Sequence, residues 1–222
     1  MATQKKKTWK RARNPEQKAE RVDAILEAAG VLLEADGLDG TGLNAIARQA
    51  GLSKPNLYVY FESREAILLR LLLNEVSLWS KSLKKKLEQV DEPGDVDAVA
   101  QAFADSLARR RRFCVLFGAM ASTLEHNVEF ETVVEFKKEF LAIVQPAVVA
   151  LATAMPPISE DDALEILALL VMSAVGMWPH CHPSPVVKSV LAQPEFSSRK
   201  LDFKASTFDL ASNYLRGFMS SL

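Results

Sequence analysis

The chain has 222 residues, close to half of them apolar and a quarter charged, with nine Gly and ten Pro. This composition excludes a disordered or collagen-like chain and is ample for a buried core, either a single one or a small one followed by a larger one. The formal net charge of -1 hides an uneven distribution: residues 1–21 carry eight Lys and Arg against Glu16 and Glu20, leaving the remainder acidic, so any nucleic-acid role must be sought in the distribution and not in the total.

The basic head, residues 1–14, lacks apolar periodicity and is expected to be a flexible arm. Regular structure is predicted from Pro15, where Val22, Ile25, Leu26, Ala29, Leu32 and Leu33 recur at helical spacing until Gly37. A second, short helix has Leu43, Ile46, Ala47 and Ala50 on one face, Thr41 as its N-cap and Gly51 at its end. A third begins at once, capped by Ser53, with Pro55 in its first turn and Leu57 and Phe61 as an i, i+4 pair. Ser63 then caps a long fourth helix, with Leu68, Leu72, Val76, Trp79, Leu83 and Leu87 in one stripe up to Pro93-Gly94.

Beyond that break the pattern predicts helices over 95–110, 112–125, 128–155, 159–178 and 204–220, with a kink at Pro146 and a Pro-rich loop from Pro179 to Pro194 that holds a short apolar turn. No strand pattern competes. The fold class expected is all-α, with a three-helix head over 15–64 joined by a long helix to a helical body over 65–222.

A brace helix followed by two short helices about a tight turn is the helix-turn-helix arrangement that sets one helix into the major groove of DNA. With Leu57 and Phe61 turned inward, the outward arc of the third helix holds Pro55, Asn56, Tyr58 and Val59. A merely solvated face is usually rich in Glu and Lys, whereas this one has no carboxylate and shows two apolar groups. Against DNA, Pro55 and Val59 suit thymine methyls, Asn56 a base edge and the Tyr58 hydroxyl a phosphate. Lys54, Tyr60 and Arg64 flank that surface as further phosphate contacts, joined by backbone donors near Thr41 and Gly42. For Tyr60 the alternative is an amphipathic ring at the edge of the core. The arm, with Trp9 among Lys7, Lys10, Arg11 and Arg13, either tracks the DNA backbone or is a solvated tail.

Residues 22–68 resemble the DNA-binding domain of the tetracycline-repressor (TetR) family of bacterial regulators. The likeness lies in Ile25-Leu26, Ala28-Ala29, Gly37, Ile46-Ala47, the run Ala50 to Lys54, Leu57-Tyr58, Tyr60-Phe61 and Ser63 to Glu65. It implies an all-helical homodimer that binds double-stranded DNA at a palindromic operator, commonly represses, and lets go when a small-molecule effector occupies the C-terminal domain. By position, the DNA-contacting residues implied are Thr41, Ser53, Lys54, Pro55, Asn56, Tyr58, Tyr60 and Arg64. Arg64 stands where the family more often has Lys, and Pro55 where Gly is common.

For the body, the helix over 159–178, with Ser173, Ala174 and Gly176, and the helix over 204–220 are the expected dimer pair, the alternative being plain core. An effector pocket is expected to draw its apolar walls from Trp79, Phe113, Phe117, Met120, Met172, Met177 and Trp178, and polar anchors from Glu125, His126 or Asn127, each competing with ordinary packing.

No metal or cofactor is expected, since His180, Cys181 and His182 alternate in a Pro-rich loop with no further ligands nearby in sequence. Cys114 follows an Arg run among apolar neighbours and reads as buried, and Arg109 to Arg112 as a solvated helix end. Two cysteines make no disulfide framework and suit a reducing, cytoplasmic compartment. No apolar leader follows the basic head, and the most apolar stretch, Ala163 to Trp178, is short for a membrane span. No Ser-His-Asp order, phosphate-cradling Gly loop or zinc spacing points to an enzyme. The competing class is a helical interaction module without specific DNA binding.

Overall fold

The computed structural model describes residues 14–199 and 201–222, and among these there are ten α-helices and no strand. Helix α1 (Pro15–Gly40) starts where the Asn14 side chain accepts from the Gln17 amide at 2.9 Å, with Pro15 in the first turn. Its stripe of Ile25, Leu26, Ala28, Ala29 and Leu33 is buried. Gly37 was the expected stop, and the backbone does leave helical geometry there (φ 70°, ψ -169°), a conformation open to Gly and costly for any other residue. The chain then makes one more turn to Gly40.

Helices α2 (Leu43–Gln49) and α3 (Lys54–Leu57) are joined through Gly51, again at positive φ (71°). The third helix is shorter than the Leu57/Phe61 pairing predicts. The Tyr60 and Phe61 amides both return to the Leu57 carbonyl, at 3.0 and 3.1 Å, so the chain closes into a turn at Leu57 and does not continue as helix.

Helix α4 (Arg64–Leu87) is capped by Ser63, whose hydroxyl accepts from the Ala66 amide at 3.0 Å. After Gly94, at φ 89°, the Asp95 carboxylate caps α5 (Val96–Leu107) by accepting from the Asp97 and Ala98 amides, both at 3.0 Å. The segment predicted as one helix over 112–125 is α6 (Arg111–Ala119) followed by a wider π-helical turn, Met120–Leu124. Helix α7 (Phe130–Ala154) runs uninterrupted through Pro146. In the turn before that proline, which lacks one backbone donor, the Ser80 hydroxyl donates to the Ile143 carbonyl at 2.8 Å.

A capping box between Ser159 and Asp162 opens α8 (Glu160–Cys181), which continues three residues past its expected end with Pro179 on the exposed side. By length and composition α8 could cross a membrane, yet it begins with three acidic residues, and Ala163, Ile166, Leu167, Leu170, Val171, Ala174 and Val175 are buried within the protein. The apolar turn expected in the following loop is α9 (Pro185–Val190), and the last helix is α10 (Phe203–Met219), capped by Asp202.

The chain divides into two compact units. The first comprises residues up to Glu75 together with Ala119–Glu139, and the second comprises Val76–Gly118 and Phe140–Leu222. In the second, α10 packs chiefly on α5 and also on α8. Its core holds Trp79, Phe103, Phe113, Leu116, Val148, Leu170 and Leu215. The Arg216–Asp97 and Lys204–Asp105 ion pairs, both at 2.7 Å, lie on its surface and add little to stability.

Candidate nucleic-acid interface and effector cavity

Leu57 is fully buried, which fixes the roll of α3 and turns Lys54, Pro55, Asn56, Tyr58 and Val59 outward. The support is local: α2 packs on α1 and α3 on α2, and the Ser53 hydroxyl accepts from the Asn56 amide at 3.4 Å. Tyr58 is 50% exposed and Val59 73%, two adjacent apolar groups presented on the same surface. No carboxylate occurs between Gln49 and Phe61, and the Lys54 ammonium stands 6.0 Å from the centre of the Tyr58 ring. The resulting face is cationic, aromatic and apolar, with one amide side chain able to donate and accept.

Two of the residues assigned to DNA contact do something else. Thr41 is fully buried, and its hydroxyl donates to the Gly37 carbonyl at 2.7 Å. Gly42, half-buried and without a side chain to cap with, takes the N-cap position of α2 that Thr41 was expected to fill. The Arg64 guanidinium is also engaged: Nε donates to the Thr41 carbonyl at 2.8 Å, Nη2 to the Leu38 carbonyl at 2.5 Å and Nη1 to Glu65 at 3.2 Å. The end of α1 leaves carbonyls without helical partners; Thr41 serves those of Gly37 and Leu38, and Arg64 serves that of Thr41 and adds a second donor at Leu38. Its guanidinium is thus held against the end of the brace helix.

Tyr60 is half-buried and lines a cleft of about 250 Å³ in the first unit with Phe61, Leu69, Leu73 and Phe136, the core-edge position that was its alternative. The arm residues Lys7, Trp9, Lys10, Arg11 and Arg13 lie outside the described residues.

In the second unit a cavity of about 90 Å³ is walled by Trp79, Phe117, Phe140, Val144, Val148, Leu164, Leu167, Ala168, Val171 and Met172. Of the sequence candidates it brings together Trp79, Phe117 and Met172. Phe113 stands behind them as core, with its ring 5.2 Å from Trp79 and 5.5 Å from Phe117. Trp178 faces elsewhere, stacked on His182 at 3.7 Å and edge-on to Phe203 at 4.8 Å. Met120, Glu125, His126 and Asn127 belong to the first unit, where Glu125 pairs with Lys137 and His126 Nε2 lies 3.2 Å from the Ala121 carbonyl. Met177 is not in the wall either. The walls supplied by α7 and α8 were missed because their Val and Leu positions are the kind any core uses. The Trp79 indole donates to Ser106 Oγ at 2.9 Å, and that hydroxyl donates on to the Phe103 carbonyl at 2.7 Å, so the one side-chain nitrogen or oxygen in the wall is already satisfied.

Burial pushes the Cys114 thiol up to about 12, which leaves almost no thiolate for redox chemistry, and burial together with Asp202 raises Cys181. His182 folds back so that Nδ1 meets the Trp178 carbonyl at 3.0 Å, closing the end of α8. Within the Arg109 to Arg112 run, Arg110 is structural, donating to the Ser106 carbonyl at 2.8 Å and the Leu78 carbonyl at 3.0 Å.

Residues 25–71 match the family described as bacterial regulatory proteins, tetR family, and residues 73–221 match the tetracyclin repressor-like, C-terminal domain. The HTH-type transcriptional regulator RutR of Escherichia coli (strain K12) is 40% identical over 79 residues, 36% of each protein, and the HTH-type transcriptional regulator EthR of Mycobacterium tuberculosis is 39% identical over 74 residues, 33% of each. The match therefore spans about a third of the length of these relatives. Among solved structures, the fatty acid degradation regulator FadR from Bacillus halodurans aligns with a TM-score of 0.52 at 16% identity, over 92% of this chain and 96% of that one. FadR from Bacillus subtilis in complex with stearoyl-CoA aligns at 0.51 and 16%, over 87% and 96%. At that identity the likeness is one of fold. Matched through both its head and its body, the chain belongs to the tetracycline-repressor family of bacterial transcriptional regulators, which are not enzymes.

Proposed function

We propose that this protein is a ligand-responsive repressor that binds a palindromic operator as a homodimer and is released by a small-molecule inducer. The observation that carries the reading is the face of α3 and the turn after it, where Lys54, Pro55, Asn56, Tyr58 and Val59 stand exposed around one buried leucine. In the major groove Pro55 and Val59 contact thymine methyls, Asn56 reads a base edge, and Lys54, Ser53 and Tyr58 hold phosphates, with Gly42 and Tyr60 at the rim. Selection of bound sequences from a random DNA library tests this. The expected result is an enriched inverted repeat whose half-sites lie about one helical turn or a multiple apart. No enrichment would refute operator binding and favour an interaction module.

The outward side of α8 supports the two-fold assembly. Leu169 and Met172 are exposed there beside the small residues Ser173 and Gly176, whereas Ala174, expected on the same face, is buried inside its own subunit. Small residues allow close helix approach, and a self-complementary patch suits an isologous dimer. Leu169→Glu places a second carboxylate on this face beside the exposed Glu165 and is expected to yield monomers in sedimentation velocity at micromolar concentration. An unchanged dimer would move the interface off α8.

In this mechanism the inducer favours a dimer geometry in which the two α3 elements no longer match the half-site spacing. Passing from mostly bound to mostly released takes about 5.5 kcal/mol of differential affinity, which two inducer sites can share.

A further inference from the structure

We propose that the effector of this protein is an uncharged molecule with a slender hydrocarbon chain, seated in the cavity of the second unit. The proposal rests on the reading that this unit senses a ligand, and it specifies the chemistry of that ligand.

Three features of the cavity carry it. The first is the absence of any available polar side chain in the wall. Trp79 Nε1 is the only side-chain nitrogen or oxygen among the lining residues, and it is already given to Ser106. A charged or strongly hydrogen-bonding group entering this space would lose its water and find no replacement.

The second is shape. Phe140, Val144 and Val148 form an i, i+4, i+8 row on α7, and Leu164 to Met172 spans the same two turns on α8. Eight residues of helix advance about 12 Å. A volume of about 90 Å³ bordered over that length points to a slot. Dry cavities that take benzene measure about 150 Å³, so this one suits a chain better than a ring.

The third is the mouth. Met172 is 52% exposed and Ala168 is exposed as well, so they wall the slot on the side nearest the surface, at the edge of the α8 face proposed for the dimer, and a polar head placed there stays outside the apolar slot while the chain lies inside. The Met172 side chain is unbranched and can swing aside without disturbing its neighbours.

The test is calorimetric titration of the full-length protein with a series of 1-alkanols from butanol to decanol, with tryptophan emission as a second readout because Trp79 lines the slot. Affinity is expected to rise about fourfold per added methylene, the value for moving one CH₂ out of water. The rise should stop at a definite chain length, where the slot is full. The α,ω-diol of the best-binding length should bind at least about tenfold more weakly, since its second hydroxyl enters without a partner. Two variants bracket the assignment: Ala168→Phe should move the cut-off to shorter chains, and Leu164→Ala to longer ones. Loss of folding cannot produce opposite shifts. No alkanol binding, a diol as good as the alcohol, or a cut-off that neither variant moves would each overturn the proposal. If the alkanols fail while selected operator DNA is still bound, this assignment falls alone. If they bind as described and operator affinity does not change, the cavity chemistry stands and release by an inducer falls.

Discussion

Replacing Lys54 and Tyr58 together by Ala is expected to abolish enrichment of the operator while leaving the helical content and thermal transition of the protein unchanged. Both side chains are exposed, Lys54 on α3 and Tyr58 at its C-cap, and neither holds the core together, a task that falls to Leu57. A hydrogen bond to a charged group such as phosphate contributes about 1.5–3 kcal/mol. Two contacts removed from each half of a dimer therefore weaken binding on the order of a thousandfold or more. The signature is specific as well as large. Removing one Lys-phosphate contact from each subunit should flatten the log-log dependence of affinity on salt by roughly 0.9 per contact, about 1.8 for the dimer. Asn56→Ala, by contrast, should relax the selected sequence at one position per half-site and leave the salt slope intact. An operator still enriched by the double variant would show that α3 does not read the DNA.

Arg64→Ala should behave in the opposite way. The guanidinium donates to the Thr41 and Leu38 carbonyls, so its removal takes the donor from the Thr41 carbonyl and leaves the Leu38 carbonyl with the Thr41 amide alone, at 3.2 Å. Hydrogen bonds from a charged group contribute about 1.5–3 kcal/mol each. Because the side chain is about a quarter exposed, water replaces part of what is lost. A net loss of about 2 kcal/mol is expected, lowering the thermal midpoint of the first unit on the order of 10 °C. The salt slope of DNA binding, measured below that midpoint, should not change. Arg64→Lys should recover only part of the stability, because an ammonium has no planar fork with which to reach both carbonyls. A flattened salt slope with unaltered stability would restore Arg64 to the phosphate-contact role that its position in the sequence suggested.

The contrast between these two residues marks how far the sequence is legible. Features set by neighbouring residues could be read directly. Gly37, Gly51 and Gly94 were placed at breaks, and all three adopt positive φ; Ser53 and Ser63 were placed as caps, and both accept the expected amides. Thr41 fits an N-cap by residue type, but its burial follows from how the end of α1 is closed, by an arginine more than twenty residues away. The same holds for the effector region. Trp79, Phe117 and Met172 are conspicuous residues, whereas a cavity is defined by what its walls leave empty, and Val144, Val148, Leu164 and Val171 look in sequence like any packed positions. Glu125 and His126 suggested polar anchors, yet the π-helical turn at Met120–Leu124 opens a segment that belongs to the other unit, a division no local pattern announces.

That segment bears on the order in which the protein can be made. The unit that carries α3 is completed by Ala119–Glu139, which leaves the ribosome only after the whole of Val76–Gly118. Glu139 takes both oxygens to Arg70, at 2.6 and 2.8 Å, the Glu129 amide donates to Glu62 at 3.1 Å, and buried Phe136 shares a cleft with Leu69 and Leu73. A nascent chain that has reached Glu75 has all the DNA-reading residues but not this cover. Its leucines stay uncovered for several seconds at ordinary elongation rates of about 5–20 residues per second, long enough for chaperones to bind them. The DNA-reading unit is still complete before the second, which needs residues up to Leu222, but its completion waits on a segment more than forty residues beyond its own leucines.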